Sequence, residues 1–189
     1  MQDTQTNAPR HLEDFKVGDV IETASVTVTR EMIVAFAREY DPQPMHLDEA
    51  AARQTVFGEL VGSGWQTLAL TMRLLVDARL LGSTPIVGAQ FNETRFHAPV
   101  RPGDRLHARA EVTALRTSRS HPERGFLDMI VTTLNADWAS LVTQHWSLVL
   151  PTRAALFEPR ENWMHIQSYN PPPWRNHPLP NTPKAPSAS

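Results

Sequence analysis

The sequence contains no cysteine, which excludes disulfide staples, thiolate catalysis and cysteine-ligated zinc. It also lacks a long apolar run. The best candidate, residues 64–81, is interrupted by Gln66, Thr67 and Arg73, and no stretch reaches the roughly 18 apolar residues that mark a membrane helix. There is no excess of positive charge either: the formal net charge is −2, which argues against a general binder of nucleic acid or of anionic membranes. The first residues, MQDTQTNAPRHLEDF, are polar and carry no apolar segment of a secretory signal. The expectation is a soluble, cytoplasmic protein. Internal repeats, a phosphate-cradling glycine loop and a dinucleotide fingerprint are all missing.

What is present suits one globular domain. The 189 residues are 41% hydrophobic and 20% charged, enough to bury a real core. Composition divides the chain into a lead-in over residues 1–10, disordered or loosely docked, a domain over 11–152, and a proline-rich arm over 153–189. Nine of the sixteen prolines fall in residues 151–189, and the last part, PPPWRNHPLPNTPKAPSAS, shows no periodicity. It reads either as a flexible tail or as an arm packing on its own domain or a partner's. The second reading has a physical motive, because Phe157, Trp163, Ile166, Tyr169 and Trp174 are costly to leave in water.

Within the domain, Ile21 to Thr29 alternates as a strand, and Thr29 then caps a helix whose Ile33, Phe36, Ala37 and Tyr40 share a face. From Pro85 onward the period becomes two. Val87, Ala89 and Phe91 alternate, and Leu106, Ala108, Ala110, Val112 and Ala114 alternate with polar partners in the clearest strand of the chain. Two further strands follow, near 126–134 and 141–150. Short connections favour antiparallel neighbours.

The chemistry concentrates between Tyr40 and Leu81. Pro42 and Pro44 stiffen a segment that holds one carboxylate, Asp41, and one imidazole, His46. Both prolines lack an N–H and push the preceding residue toward extended geometry, so the segment is expected to be non-helical. On a helix a five-residue separation would set the two side chains roughly 140° apart; a bent loop can aim both at one water. The spacing by itself equally fits a helix-ending aspartate and an ordinary loop histidine. Asp48 is a good N-cap for a short helix over Glu49 to Arg53. His46-Leu47-Asp48 also offers two ligand types to a metal, but no further ligand cluster has suitable spacing and no metal is expected.

Gly62-Ser63-Gly64 then opens a long helix, roughly 27 Å if it runs from Gly64 to Leu81. Trp65, Leu68, Met72, Leu75 and Val76 make its apolar stripe, widened by Ala69, Leu70 and Leu74. Its first N–H groups have no intrahelical partner, and Gly64 places no Cβ in front of them. An oxyanion could be stabilised there, although a tight turn into a core helix fits the same residues. A long apolar helix and about five antiparallel strands imply an α+β domain, a curved sheet wrapped around one central helix.

These residues carry a resemblance. Asp41-Pro42-Gln43-Pro44-Met45-His46-Leu47-Asp48, the Phe57-Gly58 turn, Gly62-Ser63-Gly64-Trp65 and Arg95-Phe96-His97-Ala98-Pro99-Val100-Arg101-Pro102-Gly103-Asp104 together resemble the MaoC-like dehydratases and (R)-specific enoyl-CoA hydratases. The resemblance implies a single hot-dog fold and a homodimer, a direction the unpaired edge strand also favours. It implies reversible addition of water to a trans-2-enoyl-CoA, giving an (R)-3-hydroxyacyl-CoA, a hydro-lyase activity in fatty acid metabolism. Asp41, His46 and Gly64 are the catalytic residues it implies, with Ser63 and Trp65 beside the substrate. No cofactor is implied beyond the CoA of the acyl thioester. Gln43 stands where the best-known hydratases have Asn, and Ser63 where many have His. Two alternatives within the fold are a non-catalytic acyl-thioester-binding subunit and an acyl-CoA thioesterase.

Overall fold

The computed structural model describes residues 8–154 of the chain. In chain order the elements are β1 (Val20–Glu22), β2 (Val26–Thr27), α1 (Arg30–Tyr40), α2 (Pro44–Leu47), α3 (Glu49–Ala52), α4 (Gly64–Asp77), β3 (Val87–Phe96), β4 (Arg105–Thr117), β5 (Arg124–Leu134) and β6 (Ser140–Pro151). The strands join in one antiparallel sheet of order β1-β4-β5-β6-β3, with β2 also pairing β4. This curved sheet around α4 is the expected hot-dog architecture. Among the described residues no helix is long and apolar enough to cross a membrane.

Period-two patterning explains the sheet. Leu106, Ala108, Ala110 and Val112 of β4 are buried while their sequence neighbours are at least partly exposed. Leu127, Met129 and Val131 of β5, with Trp146, Leu148 and Leu150 of β6, join Ala108, Ala110 and Val112 in one core that closes over Leu74 and Leu75 of α4. The caps also follow sequence: Thr29 accepts the Met32 N–H and Asp48 accepts the Ala51 N–H.

Several expectations are corrected. The expected strand over Ile21–Thr29 is broken into β1 and β2, which brings the strand count to six. Between them the Thr23 N–H still donates to the Ala108 carbonyl, and the Thr23 hydroxyl accepts the Ala108 N–H. The central helix stops at Asp77, short of Leu81; Leu80 and Leu81 still bury in the core after a turn in which Arg79 takes φ +50°. Its buried face is also different. Gln66, Thr67, Thr71, Leu74 and Leu75 turn inward, whereas Trp65 is 70% exposed and Val76 49%. A helix apolar on most sides does not select its face by periodicity. Here the short threonines go where helix and sheet approach, each returning its hydroxyl to the carbonyl four residues back.

β3 departs from the expected alternation of Val87, Ala89 and Phe91, since all ten of its residues are exposed. It is the last strand of the order and has only β6 beside it. Residues 8–10 dock: Pro9 bridges Gly82, and the Arg10 guanidinium donates to the Leu80 and Asp14 carbonyls. The readings of Phe157, Trp163, Ile166, Tyr169 and Trp174 lie outside the described residues.

Candidate active site

Two segments meet to form the site. α1 ends by delivering Asp41, whose own N–H closes on the Ala37 carbonyl. The next residues are not the wholly irregular loop expected: Pro44 to Leu47 make α2, one short turn. Pro44 stands at its first position, where a missing N–H costs nothing and φ is already helical. That turn swings His46 back toward Asp41. The chain then returns through Val61 and Gly62, whose N–H groups donate to the Met45 and Val100 carbonyls at 3.1 and 2.7 Å. Ser63 follows as the N-cap of α4.

Asp41 Oδ2 and His46 Nε2 are 3.4 Å apart and largely withdrawn from solvent. Each carboxylate oxygen has its own donor. The Ser63 hydroxyl donates to Oδ2 at 2.6 Å, and the Gln43 amide nitrogen to Oδ1 at 2.7 Å. The hydroxyl first, then the amide, hold the Asp41 carboxyl below the usual carboxylate range; burial opposes them and the His46 charge assists. His46 Nδ1 lies 2.8 Å from the Val61 carbonyl oxygen. A carbonyl can only accept, so Nδ1 carries a hydrogen. In the neutral ring, Nε2 therefore holds the lone pair, and it faces Asp41.

Opposite this pair is the start of α4. The Trp65 N–H donates to Ser63 Oγ at 3.2 Å. The Gly64 N–H has no partner among the described residues. Its surroundings show why glycine stands there: a Cβ would meet the Phe96 ring at 2.8 Å. Asp41, His46, Gly64, Trp65 and Phe96 all line one cavity of ≈ 560 Å³, walled further by Leu68, Val100 and Val142. Another cavity of ≈ 420 Å³, beyond the end of α4, carries Asp77 but no imidazole. The acid–base pair and the Gly64 helix N–H both face the first and are absent from the lining of the second. No group of three or more metal-ligating side chains occurs among the described residues.

The structure thus brings Asp41, His46, Gly64 and Trp65 together around one space, while Ser63 is displaced from its expected place. It is fully buried behind Asp41 and is not part of the lining. A hydroxyl that satisfies both a helix N-terminus and a carboxylate is drawn between them. Sequence reasoning also missed the Gln43 amide as a support of Asp41, the Val61 carbonyl that sets the imidazole tautomer, and the Phe96 ring over Gly64. Gln43 had a signal, two residues from the acid in a proline-bounded turn. The other two are contacts between distant segments.

Ser63→Ala removes the stronger support of Asp41. The Asp41 carboxyl is expected to titrate at higher pH than in the native chain, followed by carbon NMR. A carboxyl held low stabilises the fold above its ordinary pKa, and that stability is lost as pH falls through the depressed value. The variant should therefore show a smaller drop in thermal stability on acidification.

The chain has relatives. A family model described as "MaoC like domain" matches residues 14–133. A MaoC-like dehydratase from Rhodospirillum rubrum, known from its crystal structure, shares 42% identity and superimposes with a TM-score of 0.71, covering 76% of this chain and 97% of that one. An uncharacterized protein, YdeM, from Bacillus subtilis is 36% identical over 66% of this chain and 86% of its own. A 3-hydroxybutyryl-CoA dehydratase from Methylorubrum extorquens is 33% identical over 58% of this chain and 68% of its own.

Proposed function

The chain belongs to the MaoC-like family, and on that premise we propose that it is a hydro-lyase adding water reversibly to a trans-2-enoyl-CoA to give an (R)-3-hydroxyacyl-CoA. One observation carries this reading: a largely buried Asp41–His46 pair shares its cavity with the Gly64 helix N–H, which has no partner among the described residues. The acid–base pair suits a water, and the N–H suits a thioester oxygen gaining charge.

In the proposed reaction the thioester oxygen accepts a hydrogen bond from the Gly64 N–H. A water lies between Asp41 and His46. Asp41, kept ionised, accepts one of its protons in a hydrogen bond and orients it. His46 Nε2 removes the other as the water oxygen bonds to Cβ. The π electrons move toward Cα and the thioester oxygen, where the Gly64 N–H and the helix N-terminus stabilise the charge. His46 then returns the proton to Cα, and both side chains recover their starting states. CoA enters as part of the substrate, and the steps use no other cofactor.

The test follows enoyl-thioester absorbance with crotonyl-CoA and longer or branched homologues, with a thiol reagent in parallel. The expected result is loss of the enoyl band without thiol release. Release of free CoA would instead make the protein a thioesterase, and no change with any ester would leave a binding subunit.

The assembly belongs to the same proposal. Among the described residues β3 ends the sheet with its outer edge unpaired and both faces exposed, a surface that a second copy can cover. Light scattering is expected to return twice the chain mass; a monomer at assay concentration would refute the homodimer.

A further inference from the structure

Two side-chain hydrogen bonds tie the start of α4 to α1. In the first, the hydroxyl of Ser63, the N-cap of α4, donates to Asp41 Oδ2 at 2.6 Å. In the second, the Gln66 amide nitrogen donates to the Met32 carbonyl at 2.9 Å. Met32 stands in the first turn of α1 and Asp41 is the C-cap of that helix, roughly 13 Å further along its axis. One bond alone would let α1 pivot about Ser63. Two bonds so far apart fix the angle between the helix that delivers Asp41 and the helix that begins with the Gly64 N–H.

Stability does not explain this glutamine. Gln66 is only 5% exposed, and its Oε1 is buried with no donor among the described residues. The second bond forces that outcome. A carbonyl can only accept, so the amide nitrogen must face Met32 and the oxygen must point elsewhere. Oε1 lies against Gly62, where an added Cβ would meet it at 3.3 Å, and Gly62 lines the catalytic cavity. Nor does Met32 need the bond. Its carbonyl lies inside α1 and already serves the N–H four residues on. A buried polar atom without a partner destabilises a fold, and an apolar side chain of similar length would leave none. What Gln66 contributes is position.

We propose that Gln66 is a positioning residue of the hydration reaction, whose bond to Met32 holds α1 at the setting in which Asp41 and the Gly64 N–H face the same substrate. This inference rests on the hydratase reading. Gln66 is not among the residues that line the cavity and acts through α1. Without the bond, the carboxylate and the N–H are both still present but shifted relative to each other. The chemical step slows, while the thioester binds nearly as before.

The experiment measures kcat, KM and thermal melting of Gln66→Met and Gln66→Glu beside the native protein, using the enoyl-CoA ester it turns over fastest, across a range of pH. Gln66→Met keeps the length and removes both amide atoms. It is expected to lower kcat by about tenfold or more, to leave KM nearly unchanged, and to melt no lower than the native chain. A residue that served packing alone would lower the melting temperature instead. Gln66→Glu keeps the shape, but its carboxyl can donate to Met32 only while protonated. Its kcat relative to native should be close to one at low pH and fall toward the Gln66→Met value as pH rises; the ratio cancels the titration of Asp41 and His46. Unchanged kcat in Gln66→Met, a loss of kcat that comes with a lower melting temperature, or a Gln66→Glu ratio that is flat with pH overturns the role of Gln66 and leaves the hydratase reading in place. Inactivity of the native protein on every enoyl-CoA ester removes the hydratase reading, and this inference with it.

Discussion

Asp41→Asn is expected to lower the hydration rate by about 10³-fold, within the range of a lost acid–base partner. The substitution hardly changes shape, so the effect is chemical. The native carboxylate accepts from Ser63 on Oδ2 and from Gln43 on Oδ1. An Asn offers one acceptor oxygen and one NH2, and one of those donors loses its acceptor whichever way the amide turns. If the NH2 faces His46, 3.4 Å from Oδ2 in the native chain, it also donates into the Nε2 lone pair that should take the proton from water. The measurement is the initial rate of enoyl-band loss at saturating crotonyl-CoA, with melting as the control for folding. A decrease below tenfold in a folded variant would remove Asp41 from the chemistry.

Gly64→Pro should reduce kcat by about 10²- to 10³-fold relative to Gly64→Ala, the loss expected for one oxyanion donor. Proline at the first helical position costs little, because its N–H has no intrahelical use there. Ser63 already has φ −62° and ψ 140°, the extended geometry a residue before proline prefers. Proline thus deletes the Gly64 N–H with the helix start intact. Either substitution brings a Cβ to 2.8 Å from the Phe96 ring. Phe96 is 57% exposed and has room to swing aside. Alanine measures that crowding, and the ratio of the two variants isolates the donor. Equal activities would assign the thioester oxygen to another partner.

The parts of the site that a sequence can show are those fixed by short-range rules. Pro42 and Pro44 bracket Gln43, Thr29 and Asp48 cap helices, and the alternation in β4 marks a half-buried strand; each is decided within a few residues. The parts that escaped depend on segments far apart in the chain. Nothing near Ser63 says that its hydroxyl will meet a carboxylate twenty-two residues earlier. The proline rule correctly excluded helix at Asp41 and Gln43 but not at His46, since Pro44 can begin a turn that it cannot continue from within. On α4 the choice of inward face was made by the closeness of the sheet, which favoured Thr67 and Thr71 over larger apolar residues. β3 shows another limit: its pattern suggests a strand with a buried face, and only its place at the edge of the order leaves it bare.

The Ser63 hydroxyl accepts from the Trp65 N–H and donates to Asp41 at the same time. Fraying of the first turn of α4 and release of the Asp41 carboxylate are therefore a single local opening. Such openings need far less free energy than global unfolding and occur well below the melting temperature. Hydrogen exchange at the Trp65 amide consequently counts the molecules whose site is momentarily disassembled. Warming should silence the site before it melts the fold, and that one amide is where the lost fraction can be read.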